Sequence, residues 1–227
     1  MELVLDPAGK ADPRSRDTVG RQLRWSLVSG EFRPGEKIKL RDLAAQFGVS
    51  VTPVREALAQ LVAAGALEQT PQKSIRVPAL SLPLYDELRR LRLVLEPDLA
   101  MRAVSGISDE EIRDLEALSE SLLAREALTS SLYRVGVARF HFSLYAAARQ
   151  PCTLRVVEGL WLQSGPYLSH LFPEYIGKSP SPGLRMDICD ALRRRDAVAV
   201  RDILDQDLRS AMAYLITIIE KLIPQTS

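Results

Sequence analysis

Ser50, Thr52 and Arg55 lie close together around Pro53 in the stretch GVSVTPVREAL. Their side chains suit nucleic-acid chemistry. A guanidinium hydrogen-bonds guanine in bidentate fashion, which makes Arg55 the natural base reader. The hydroxyls of Ser50 and Thr52 suit phosphate, particularly at the positive end of a helix. Either can cap a helix here, and Pro53 fits its first turn, where a missing N–H costs nothing. Arg41 begins the preceding helix, within reach of a backbone phosphate, and Lys73 sits at the tip of a hairpin. Catalytic chemistry finds little material. There is no G-x-S-x-G, P-loop, H-E-x-x-H or dinucleotide glycine motif. The whole chain has 2 histidines, His141 and His170. The expectation is a binding protein and no enzyme.

The elements that must carry these residues can be read from periodicity. Val19, Leu23 and Leu27 recur at helical spacing and Gly30 ends that helix. Pro34-Gly35 marks a turn. Leu40, Leu43, Ala44 and Phe47 form one face of a short helix broken by Gly48. Val54, Ala57, Leu58 and Leu61 form the next, which stops near Gly65. Two β-prone pieces, 66–69 and 74–77, flank Thr70-Pro71-Gln72-Lys73 as a small wing. Three helices and a wing give a winged helix-turn-helix over 16–78, with Ser50 to Arg55 at the major groove. Residues 1–15 read as a loose arm. Pro78 and Pro83 bracket a linker at 79–83.

Residues 84–222 read as helical throughout, an antiparallel bundle around one internal core; that this domain binds an effector and dimerises is what the family resemblance given below implies. The first helix, 85–104, carries Leu88, Leu91, Leu95 and Leu99. Ser108 and Glu111 form a capping box that opens a helix to about Leu128. Further helices cover 130–149, 153–171, 183–194 and 196–222, with a proline-containing loop at 172–182. The last helix carries Leu204, Leu208, Ala211, Leu215, Ile218 and Leu222. The fold class is mostly α.

Composition agrees with a soluble protein: 46% hydrophobic and 26% charged residues, net charge +1 over 227 residues. Residues 1–78 hold 12 Lys/Arg against 9 Asp/Glu, and the remainder 18 against 20. The slight positive bias falls where DNA is expected. Cys152 and Cys189 read as small apolar core residues, Trp25 and Trp161 as core, and His170 as surface or helix end. Arg193-Arg194-Arg195 reads as a solvated helix end. No signal peptide and no apolar run of membrane-spanning length stand out, so the expected location is cytoplasmic.

The stretch SGEFRPGEKIKLRDLAAQFGVSVTPVREALAQLVAAGALE resembles the N-terminal domain of GntR-family regulators. Their pattern is SG-x-x-x-PG-x-x-L followed by LA-x-x-x-GVS-R-TPVREAL-x-x-L-x-x-x-G-L. The resemblance implies a homodimer on a palindromic operator. It places the family's DNA-contacting arginines on Arg41 and Arg55 and its threonine on Thr52. Two positions depart: Val51 replaces an arginine, and Ser74 stands at the wing-tip glycine.

The segments YDELRRLRLVLEPDLA, ARFHFSLYAAARQP and ICDALRRRDAVAVRDIL resemble the FCD domain of the FadR-like branch. Many such domains hold a divalent metal through one Asp and three His. Those positions correspond here to Val137, His141, Arg185 and Asp207. Valine cannot ligate and arginine stays protonated, while a zinc site needs at least three protein ligands. No metal and no other cofactor is expected. Arg185 then supplies the positive charge, pairing with Asp207 and clamping a carboxylate-bearing effector, with Arg92 as a second pocket arginine beside His141. The alternative is an internal Arg185–Asp207 ion pair without a ligand, or a place for both at the rim of the bundle. The resemblance implies a regulator, as a repressor released by an organic-acid effector or as an activator or effector-independent DNA binder.

Overall fold

The computed structural model describes residues 16–123, 131–171, 175 and 181–223. The expected arm 1–15, the end of the helix toward Leu128 and most of the loop 172–182 lie outside the described residues. The chain divides into two compact units, Met1–Leu80 with Trp161–Ser169, and Ser81–Leu160 with His170–Ser227.

The first unit holds α1 (Arg16–Val28), β1 (Lys37–Ile38), α2 (Leu40–Phe47), α3 (Val51–Ala63), β2 (Glu68–Gln69) and β3 (Ile75–Arg76). The expected apolar faces are the ones buried: Val19, Leu23 and Leu27 from α1, Leu43 and Ala44 from α2, and Val54, Ala57, Leu58 and Leu61 from α3. Gly48 separates α2 from α3 at φ +66, a left-handed conformation that costs glycine nothing. There the Val49 N–H donates to Ala44 O, closing the helix end. The wing is a three-stranded antiparallel sheet in the order β1-β3-β2. Its strand β1, two residues after the Pro34-Gly35 turn, has no readable sequence signal because it is too short for a period of two.

Trp161–Ser169 belongs to this unit too, although the sequence placed it inside the helical domain. A methyl group on Gly165 would overlap the Leu27 carbonyl oxygen and meet Val28 Cα at 2.8 Å. Only glycine allows this approach of the segment to the end of α1. Trp25 and Trp161 are both buried, as expected.

The second unit is built from α4 (Leu82–Gly106), α5 (Asp109–Leu123), α6 (Ser131–Ala147), most of α7 (Pro151–Ser164), α8 (Ser181–Arg193) and α9 (Ala197–Leu222). A 3-10 helix, Gly165–Leu171, follows α7 where a continuous helix was expected. Helix α4 opens at Leu82 on the Ser81 cap, so Pro83 stands in its first turn. The capping box forms: Ser108 N donates to Glu111 Oε2 at 2.8 Å and Glu111 N to Ser108 Oγ at 3.1 Å.

Two further sequence readings change. The buried stripe of α4 is Tyr85, Leu88, Arg92, Glu96, Leu99 and Ala103, while Leu91 is 44% exposed. The helix is rotated from the expected leucine face because its polar pair has partners inside the bundle. Cys152 is exposed while Cys189 is buried. The first turn of α7 faces Cys152 outward, whereas the core position of Cys189 pushes its thiol up to about 11 through burial. The arginine run ties elements together: Arg193 pairs with Glu116, and Arg195 donates to Ile107 O at 2.7 Å and Asp109 Oδ1 at 2.6 Å.

Candidate functional site

The first candidate surface is the start of α3. Ser50 rather than Thr52 stands at the N-cap, and its side chain makes no capping hydrogen bond. Thr52 lies in the first turn with Pro53, and Ser50, Thr52 and Arg55 are exposed. Because Pro53 has no N–H, the amides left over at this helix start are those of Ser50, Val51 and Thr52. They add partial positive charge beside Arg55. Arg41, in the first turn of α2, is exposed as well, and neither arginine forms an ion pair among the described residues. Val51 is half-buried, so its replacement of arginine leaves an apolar side chain at the helix tip.

The wing adds Lys73, exposed in a turn closed by Lys73 N donating to Thr70 O at 2.8 Å. Lys73 itself takes the left-handed conformation, φ +62. The sequence comparison places the family's glycine on Ser74, one residue later. Ser74 instead locks the hairpin: its Oγ lies 2.7 Å from Thr70 Oγ1, and its N–H donates to that same oxygen at 3.2 Å.

The second candidate lies inside the bundle of the second unit. Helix α4 contributes Arg92, α6 His141, α8 Arg185 and α9 Asp207, all buried. Glu96, Tyr133 and Tyr145 join them. Arg92 Nε donates to Glu96 Oε1 and Arg92 Nη2 to Oε2 at 3.4 Å. Tyr145 Oη donates to Glu96 Oε2 at 2.7 Å and lies 3.0 Å from His141 Nδ1. Arg185, 1% exposed, donates from Nη2 to Tyr133 Oη at 2.7 Å, while its Nε has no acceptor. The hydrogen bond expected toward Asp207 goes to Tyr133 instead.

The electrostatics follow from burial. His141 is pushed down to about 3 by desolvation, and then by the positive charges of Arg185 and Arg92. It is neutral at physiological pH. Burial works against the charge on Arg92, but the Glu96 carboxylate outweighs it and raises the guanidinium above its ordinary value. Burial also raises Tyr133 and Tyr145. Asp207 acts electrostatically on both tyrosines, which places its charge in the same cluster.

Comparison with known proteins agrees with both halves. Residues 15–77 match the bacterial regulatory proteins of the gntR family, and residues 87–210 match the FCD domain. The chain belongs to the GntR family. It is a DNA-binding transcriptional regulator whose helical half is an FCD, effector-binding domain. It is 32% identical over 155 residues to the HTH-type transcriptional regulator McbR of Escherichia coli, covering 68% of this chain and 70% of that protein. The HTH-type transcriptional repressor RspR of Escherichia coli is 28% identical over 216 residues, or 92% and 90% of the two chains. The solved structure of E. coli McbR/YncC superposes with a TM-score of 0.80 at 27% identity, covering 92% of this chain and 99% of that one.

Within this GntR regulator, the residues at the family's metal positions do not suit a divalent ion. Val137 packs in an apolar cluster with Leu118, Leu122, Tyr133 and Tyr175. Arg185 brings a fixed positive charge. Only His141 and Asp207 remain as donors, and among the described residues no three His, Cys, Asp or Glu gather for a metal. The residues missed in the sequence are Glu96, Tyr133 and Tyr145. Their signal was present: Glu96 is four residues from Arg92, and Tyr133, Val137, His141 and Tyr145 recur every four residues on α6.

Proposed function

We infer that this regulator is a cytoplasmic homodimeric repressor that binds a palindromic operator and leaves it when a small carboxylate-bearing effector enters the bundle of the second unit. The observation that carries the effector reading is Arg185. A guanidinium 1% exposed, with a buried Nε that has no acceptor, is costly unless an anion completes it. A planar carboxylate is the fitting acceptor. Arg92, His141 and Asp207 line the same site. At the operator, Arg55 reads a base, Arg41 and Lys73 hold phosphate, and Ser50, Thr52 and the Pro53 turn set the helix end against the backbone.

Exposed apolar residues support the dimer. Leu91 and Val94 stand on one face of α4 at 44% and 69% exposure, a face suited to a second copy of the bundle. The effector changes DNA binding because it favours one arrangement of the two units over another. The chain passes between them after Leu80 and on each side of Trp161–Ser169, so helix shifts have covalent routes to follow. The repressor name of a relative such as RspR agrees with the sign chosen here.

The test is release from the operator in the presence of a panel of small mono- and dicarboxylates. The wild-type protein is expected to be released by at least one member, and Arg185→Ala to stay bound at every concentration that releases the wild type. Unchanged release of Arg185→Ala overturns the reading. So does stoichiometric zinc or nickel in the purified protein.

A further inference from the structure

We propose that Val51 reads the C5-methyl group of a thymine in the major groove, and so fixes one base of the operator that no hydrogen bond specifies. The proposal rests on the reading of α3 as the recognition helix with Arg55 at a base, and adds the residue beside it.

Val51 is the first residue of α3, between the exposed Ser50 and Thr52. It is half-buried and stays outside the buried set of that helix, which is Val54, Ala57, Leu58 and Leu61. One side of the valine therefore remains open at the tip of the helix. Valine brings no advantage to a helix start. It has no atom that can cap, and its branched side chain loses rotamer freedom in a helix. The same stiffness suits a reader, since its two methyl groups are held in a fixed place.

Val51 and Arg55 are four residues apart, within about 40° of each other around the helix axis and one turn apart along it. A turn rises about 5.4 Å and a base-pair step about 3.4 Å. If Arg55 meets a guanine, Val51 meets a base pair one or two steps away.

The chemistry of the groove then selects the base. Guanine presents acceptors, adenine an acceptor and an amino group, and cytosine an amino group. A valine over any of them displaces water and returns no hydrogen bond, which is costly. Thymine alone presents an apolar group, its C5-methyl. Thr52 also carries a methyl group, but its hydroxyl leaves it free to hold phosphate, as Val51 cannot.

The test uses the full-length protein and the tightest duplex that it selects from a random DNA library. Each thymine is replaced in turn by uracil, which removes the methyl and keeps every hydrogen-bonding group. At one thymine within two base pairs of the guanine whose preference Arg55→Ala relaxes, uracil is expected to weaken wild-type binding about fourfold, the worth of one buried carbon group. At that same position 5-methylcytosine is expected to bind more tightly than cytosine by a similar factor. Val51→Ala should abolish both differences, and Thr52→Ser should keep them. Val51→Ser, a residue favoured at helix starts, takes the place of Val51→Ala if the latter does not fold.

A scan in which no thymine methyl matters overturns the proposal, as does a methyl effect that survives the Val51 substitution. Equal weakening of every duplex by Val51→Ala, with the methyl effect intact, would give Val51 a structural role alone and overturn it too. An Arg55→Ala protein with unaltered base preferences removes the reading of Arg55, while a methyl effect lost with Val51 would leave Val51 as a base reader.

Discussion

At the scale of single residues, the turn at the wing tip and the imidazole in the bundle illustrate opposite compromises. Lys73 holds φ +62 without being glycine. A left-handed L-residue costs about 1–2 kcal/mol, while glycine in its place loses about 0.5–1 kcal/mol of backbone freedom on folding. Lys73→Gly is therefore expected to stabilise the first unit by up to about 1 kcal/mol in urea unfolding. The same change should reduce the salt slope of operator binding by about 1, because one phosphate contact is lost. An unaltered slope would show that Lys73 stays clear of the DNA. His141 has the reverse logic. Its folded pKa, about 3, lies below its unfolded value near 6.5. Its contribution is fully present above pH 6.5 and declines as pH falls toward 3, since only the unfolded chain takes the proton in that window. The loss approaches about 1.4 kcal/mol per pH unit. His141→Gln should show a smaller drop in melting temperature between pH 7 and pH 5 than the wild type. Equal drops would place the imidazole in contact with solvent.

Among the elements, α4 is where sequence and structure part most clearly. Leu88, Leu91, Leu95 and Leu99 are a good helical stripe, yet the buried face runs through Arg92 and Glu96 and leaves Leu91 44% exposed. An Arg–Glu pair four residues apart normally reads as a solvated surface pair. Here the pair is interior, and Tyr145 on α6 donates to Glu96. The end of α7 is the second such case. Helical periodicity there looks continuous, but the chain tightens into the 3-10 helix Gly165–Leu171 and meets α1 backbone to backbone. Gly165→Ala is expected to destabilise the first unit by about 1–3 kcal/mol, the range for overpacking a closed contact. Thermal unfolding would measure it, and a change below about 0.5 kcal/mol would mean that the segment can back away from α1 freely.

For the whole molecule, the two-unit plan follows from two different physical tasks. The first unit keeps Ser50, Thr52, Arg55, Arg41 and Lys73 exposed, as a surface for an extended polyanion requires. The second encloses a cluster of charges, with Arg92, Glu96, Arg185 and Asp207 all buried. Such a cluster suits a small ligand that can be enclosed. The dimer proposed above supplies the two-fold symmetry that the proposed palindromic operator calls for. Val94→Arg, at a position 69% exposed, places like charges across the proposed α4 interface. It is expected to shift sedimentation from dimer to monomer and weaken operator binding at least tenfold, with no loss of helix content. A Val94→Arg protein that sediments as an unaltered dimer would move the interface elsewhere.

The sequence by itself determined the winged helix-turn-helix, the helical second half and the family. Those rest on local patterns: apolar spacing, glycine and proline punctuation, and the dense motif around Pro53. It also placed His141, Arg185 and Asp207 on inward faces, because helical phase follows from neighbouring apolar residues such as Ile188, Leu192 and Leu204. Tertiary structure alone decided that Glu96 is interior, that Arg185 bonds Tyr133, that Lys73 rather than Ser74 takes the left-handed turn, and that Trp161–Ser169 belongs with α1. Each depends on partners distant in the chain or on a single backbone angle. Periodicity carries no record of either, because it reports which side of a helix is buried and leaves open what waits on the other side.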